Sequence, residues 1–207
     1  MMTNMPGSYP CCVLMGEAAL KTIDHVVRAV YDETGTEWGG LLWGRVFAHP
    51  QGGSVPVVVA ATDGICEATR VSCNILPASW EAGRETLSAL GITGLEVVGD
   101  FHSHPRMRVF LSAHADVPAY WSFGHIPHWL SMVVDPWHGD YGIFARRGEQ
   151  ELYRAPSSLA SEEVLRILDL PVPARLSPRI PSAYLASAIH PSRGGNHDDP
   201  YHAHSIR

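Results

Sequence analysis

The sequence lacks any apolar run long enough to cross a bilayer. Its longest, residues 55–61, falls far short of the ~20 residues that a helical span needs. Residues 1–10 show no basic segment leading into an apolar core, so no secretory signal is read and the cytoplasm is the expected location. Cysteine is scarce. Cys11, Cys12, Cys66 and Cys73 form no C-x-x-C pair, which argues against a disulfide framework or a structural zinc cluster and for buried free thiols. Positive charge is also short, with 15 Lys and Arg against 21 Asp and Glu and a net charge of -6. Binding a nucleic acid usually needs a basic face, so neither a nucleic acid nor a membrane is the expected partner. No internal repeat is visible. What remains is 207 residues at 45% hydrophobic and 17% charged, the composition of a globular domain with a real core.

The pattern along the chain is mixed. Residues 1–10 read as a loose leader and 11–15 as a short strand. Residues 16–33 read as a helix, because Leu20, Ile23, Val27, Val30 and Tyr31 recur at helical spacing. Thr34-Gly35-Thr36 ends it, and a glycine-rich apolar stretch starts at Glu37. Residues 55–61 read as a buried or edge strand. A second helix is expected over 77–90, with Pro77 near its start, Gly91 near its end, and Trp80, Gly83, Leu87 and Leu90 on one face. Residues 95–101 form a strand that runs into two histidines. Residues 130–134, 141–145 and 150–154 then suggest a three-strand meander, turned at Asp135-Pro136, Gly139-Asp140 and Arg147-Gly148. From Pro156 the composition shifts. One short helix is expected at 161–168, and Pro, Ser, Gly and His then dominate to residue 207. The expectation is one α/β or α+β domain over residues 11–155, with a leader at 1–10 and a mostly disordered tail at 156–207.

The chemistry concentrates in His102-Ser103-His104-Pro105, with Ser112 and Asp116 downstream. Two histidines at i and i+2 on an extended segment point to the same side, so both imidazoles can reach one metal. A catalytic zinc takes three protein ligands and keeps a position for water, and Asp116 is the natural third ligand. A hydrolytic site also needs a base that is not a ligand. Glu37 suits that role, standing just before Gly39-Gly40, where the backbone can approach a neighbour closely. Ser112 offers a hydroxyl for a developing oxyanion. Taken singly, each residue has an ordinary reading: buried histidines bonded to backbone, an exposed acid at a strand end, a serine helix cap. Together they resist that reading.

This set resembles the motif of the JAMM/MPN+ zinc metallopeptidases. The likeness rests on Glu37 in E-x-G-G-L-L-x-G, on His102-Ser103-His104-Pro105, and on Ser112 followed by an acid. The segment from His128-Trp129-Leu130 to Val134-Asp135-Pro136 adds to it, and the likeness spans most of residues 11–154. The resemblance implies a cytidine-deaminase-like fold with a central mixed β-sheet flanked by helices. It implies one zinc held by His102, His104 and Asp116, with Glu37 as general acid/base and Ser112 stabilising the oxyanion. It further implies hydrolysis of peptide or isopeptide bonds, commonly at the C-terminus of ubiquitin or a ubiquitin-like protein.

The family places two residues between the serine and the aspartate, whereas Ala113, His114 and Ala115 make three here. One residue turns a helix by roughly 100°, so a regular helix from Ser112 could not present both side chains as the family does. Either a bulge or late helix start restores Asp116, or His114 replaces it, or the site is impaired. Two other functions stay open: a catalytically silent scaffold module of the same fold, and a peptidase acting on a sulfur-carrier adduct or another peptide. Arg106 and Arg108 beside the site read as solvated charges. Tyr120, Trp121, Phe123 and Trp129 read as core or groove wall. In the tail, His197, His202 and His204 read as part of a disordered segment, and Arg193-Gly194-Gly195 as a linker. The oligomeric state is not legible.

Overall fold

The computed structural model describes residues 9–173, apart from 124, 127, 149 and 150. The expectations for the leader at 1–8 and for the tail beyond 173, including His197, His202, His204 and Arg193-Gly194-Gly195, lie outside the described residues.

The chain begins with β1 (Val13–Gly16) and α1 (Glu17–Thr34), then the long strands β2 (Gly39–Ala48) and β3 (Ser54–Asp63). A small hairpin, β4 (Cys66–Ala68) and β5 (Cys73–Ile75), leads into α2 (Ala78–Ala89) and β6 (Glu96–Ser103). After α3 (Asp116–Ser122) come β7 (Leu130–Asp135), β8 (Asp140–Arg147), β9 (Glu151–Ala155), β10 (Ser157–Ala160) and α4 (Glu162–Ile167). Eight strands make one mixed sheet in the order β10-β1-β3-β2-β6-β7-β8-β9, so the described residues form an α+β domain with four helices. The expected meander is present: β7, β8 and β9 pair antiparallel in sequence order.

Strand alternation divides the sheet into two buried faces. Leu42 and Phe101 point into a cluster with Ala19, Ile23 and Val27 of α1. Leu41 and Trp43 point the other way, towards Leu87 of α2, and Val57 and Val59 meet Leu165 of α4. Each buried aliphatic side chain in such clusters stabilises the fold by about 1.5–3 kcal/mol. The α1 stripe is rotated slightly from the expected one. Ala19, Ile23, Val26, Val27 and Val30 are buried, while Leu20 and Tyr31 sit at its flank. Gly35 ends α1 in the left-handed conformation, with its N–H donated to the Tyr31 carbonyl. In α2, Gly83 is buried against the Trp43 indole, where a Cβ would come within 2.6 Å of the ring. Leu90, expected on the buried face, is 51% exposed because α2 has ended before it.

The domain does not end at residue 155. The chain turns at Pro156 and β10 adds a parallel strand to β1, with Val13 opposite Ser157 and Gly16 opposite Ala160. Ala160, Leu165 and Leu170 then close an apolar cluster over β3. A four-residue strand whose middle residues are exposed carries no alternation to read, which is why this segment looked like a tail.

Candidate metal centre

β6 and β7 are adjacent and parallel, so their C-terminal ends open at the same edge of the sheet. Crevices at such strand ends are a common place for ligands. His102 lies on the last stretch of β6 and His104 just beyond it, and the His104 N–H continues the ladder by donating to the Val134 carbonyl at 2.8 Å. Their rings lie 5.0 Å apart, and both residues are buried, at 7% and 3% exposure.

Glu37 arrives from β2. Gly39 pairs with His102 and Gly40 with Phe101, so Glu37 is carried to the end of β6 where His104 sits. The pairing is held beyond the strand by Ser103, whose N–H donates to the Trp38 carbonyl at 2.9 Å and whose Oγ accepts the Trp38 N–H at 3.0 Å. A Cβ at Gly39 would lie 2.5 Å from the Phe101 carbonyl oxygen, and one at Gly40 2.1 Å from that of Thr62. The close approach expected of this glycine pair is therefore real, and Ala at either position would push β2 off its neighbours.

Asp116 completes the group. Its Oδ1 is 3.4 Å from His102 Nε2 and its Oδ2 3.4 Å from His104 Nε2, and the ligand atoms of the three residues lie within 4.8 Å of one another. The extra residue between Ser112 and Asp116 is absorbed by a wide turn. Ser112 Oγ accepts the N–H groups of Ala115 and Asp116, and Asp116 Oδ2 takes the Ser112 N–H at 2.6 Å. The Ser112 carbonyl is met by the N–H of Val117, five residues on, rather than four. The arrangement is a capping box widened by one residue, and it turns Asp116 back towards the histidines. Helix α3 starts only there, with Pro118 in its first turn. His114 stays exposed on the turn and outside the cluster. Ser112, half-buried, uses its oxygen only as an acceptor in these bonds, which leaves its O–H free to donate.

The electrostatics of the group are set by burial and by its own charges. Glu37 is 1% exposed, and burial pushes its carboxyl up to about 8, with Asp116 adding to the rise and His102 opposing it. Burial also opposes the charge on Asp116, but the two histidines and the Ser112 N–H overcome that and hold it far below the usual carboxylate range. For His102, burial favours the neutral ring, yet Asp116, Asp100 and Glu37 together raise its pKa. Buried polar atoms are normally paired. Here Glu37 Oε1, His102 Nε2 and His104 Nδ1 have no hydrogen-bond partner, three of only four such atoms among the described residues. The 3.4 Å approach of His102 to Asp116 lacks hydrogen-bond alignment. Two imidazole nitrogens and a carboxylate oxygen converging without bonding each other is the donor set of a divalent metal.

Sequence reasoning missed two acids beside this site. Asp100, two residues before His102 on the same strand face, is fixed by Trp129 Nε1 at 2.9 Å and Ser131 Oγ at 2.8 Å. Trp129 in turn stacks on Phe123, which stacks on Trp80, an aromatic wall as expected of the first two. Asp135, read as a turn residue, is fully buried and accepts from the backbone N–H groups of Arg106, Arg108, Trp137 and His138 and from His138 Nδ1. It thereby holds the loop after His104, in which Arg106 and Arg108 adopt left-handed φ values of 66° and 73°. Such a backbone costs an L-residue about 1–2 kcal/mol. The available signal was an acid ending an apolar strand beside the His-Ser-His-Pro strand.

No family model matches the chain, and no curated protein matches it. Among solved structures, the chain is similar to the solution structure of protein DSY2949 from Desulfitobacterium hafniense, a Northeast Structural Genomics Consortium target. The two share 15% identity with a TM-score of 0.54, over 72% of this chain and 94% of that one. At that identity the likeness concerns the fold alone.

Proposed function

We propose that the chain is a zinc-dependent peptidase or isopeptidase of the JAMM/MPN+ type, with the cytidine-deaminase-like fold of that family. The observation that carries the proposal is the convergence of His102, His104 and Asp116 on one point, with the unpaired Oε1 of Glu37 3.9 Å from His104 Nε2. His102, His104 and Asp116 would hold the metal. When bound, zinc supplies Lewis acidity, which makes water a nucleophile near neutral pH and polarises a carbonyl.

The chain's own residues do the rest. Glu37 Oε1 takes the proton of the attacking water and returns it to the leaving amine. The Ser112 O–H donates to the oxygen that gains charge at the scissile carbonyl. The substrate class that fits is the C-terminal tail of ubiquitin or a ubiquitin-like protein joined through a peptide or isopeptide bond. An extended tail of that kind can dock by strand addition. The test uses zinc-loaded protein with ubiquitin and ubiquitin-like proteins bearing a C-terminal aminomethylcoumarin. Release of the dye by the wild type, lost by at least about 100-fold in Glu37→Gln, is expected. Equal rates in the two proteins would refute the mechanism. Zinc binding without cleavage of any amide would favour a scaffold role.

A further inference from the structure

The loop joining His104 to Ser112 contains two arginines with the same unusual backbone and different surroundings. Arg106 and Arg108 are both left-handed, and the N–H of each is tied to the Asp135 carboxylate. Glycine takes this conformation without cost, and arginine does not. For Arg106 the side chain gives a reason. Its guanidinium lies 5.4 Å from the centre of the Trp137 ring, which Arg28 also faces and Tyr31 meets edge-on. For Arg108 no such reason exists among the described residues. Its side chain is exposed and makes no hydrogen bond, ion pair or ring contact among the described residues. The neighbouring Phe110, 42% exposed, lays its ring 4.7 Å from that of His104, so this loop borders the metal centre directly.

We infer that Arg108 is a specificity residue that pairs with an acidic side chain of the peptide substrate beside the scissile bond. The inference rests on the peptidase reading above and adds to it a substrate class: acidic next to the cleaved bond. The backbone of Arg108 serves the fold through Asp135, but its side chain does not, and strained residues of this kind concentrate at functional sites. A guanidinium is the side chain best shaped to grip a carboxylate with two parallel bonds. In a chain of net charge -6, an exposed cation on the loop that borders the site also offsets the long-range repulsion that an acidic partner meets.

The test measures binding, so it does not depend on turnover. Two fluorescein-labelled decapeptides of one length, one with an Asp-Glu pair and one with Asn-Gln at the same positions, are titrated into zinc-loaded protein by anisotropy. The wild type is expected to favour the acidic peptide by about fivefold at low salt, a preference that shrinks as salt rises. In Arg108→Gly and Arg108→Asn, both of which tolerate the left-handed backbone, the ratio falls towards one. Arg108→Lys keeps part of it. Neither Arg108→Gly nor Arg108→Asn lowers the melting temperature, whereas Arg106→Gly does, by removing the stack on Trp137. Equal binding of the two peptides by the wild type would overturn the inference even if both are cleaved. A melting temperature lowered by Arg108→Gly as much as by Arg106→Gly would overturn it too, by making Arg108 structural. A preference without any cleavage would support this role for Arg108 and count against the peptidase reading alone.

Discussion

β6 and β7 lie side by side and run parallel, and a buried acid meets a histidine at the end of each, yet the two ends are opposites. At the end of β7, Asp135 is surrounded by five donors and nothing is left unpaired. Burial alone would raise its pKa, but His138 and the backbone N–H groups of Arg108, Arg106 and His138 outweigh that and hold the carboxyl at about 2. At the end of β6, Glu37, His102 and His104 are buried too, and Glu37 Oε1 and His102 Nε2 have no partner, while burial drives the Glu37 carboxyl the other way, to about 8. The difference separates a group that builds the fold from groups that could take a metal ion. A satisfied buried network rigidifies its surroundings, whereas an unsatisfied one is a cost that a bound ion relieves.

The largest expected effect lies on the satisfied side. Asp135→Ala strands four backbone N–H groups and the His138 ring, and should cost about 3–5 kcal/mol in urea unfolding. A loss below about 1 kcal/mol would erase the contrast. The pH dependence of stability comes next. The folded pKa of Asp135 is depressed, so its contribution is fully present above the unfolded value of about 4 and is lost as pH falls through about 2. Asp135→Asn should therefore flatten the acid limb of the melting profile below about pH 4, and an unchanged limb would mean that other acids dominate it. The smallest effect is expected of Glu37→Gln in metal-free protein. Removing a buried carboxyl that bonds nothing should leave stability unchanged or raise it by about 1 kcal/mol. A loss as large as that of Asp135→Ala would place Glu37 among the residues that build the fold.

Much of this arrangement was legible in the residues themselves. Strand alternation carried His102 and His104 to one side, and Gly39-Gly40 announced the close strand that delivers Glu37. Asp116 was harder to read, because its geometry depends on whether a turn closes over four residues or five. That choice is made by the hydrogen bonds between Ser112 and Asp116, which spacing does not reveal. Asp135 was invisible for another reason. Two of its partners are backbone N–H groups 27 and 29 residues earlier in the chain, and backbone donors leave no mark in a sequence. The strand β10 was missed because it joins β1 from across almost the whole domain, with too few residues to show a period.

The central claim is that His102, His104 and Asp116 together hold one metal ion. Calorimetric titration of zinc into the metal-free wild type, His114→Ala and Asp116→Ala tests it most directly. One zinc per chain in the wild type and in His114→Ala, with that site lost in Asp116→Ala, is the result expected here. No stoichiometric zinc in the wild type, or a site that survives Asp116→Ala and disappears in His114→Ala, would contradict it.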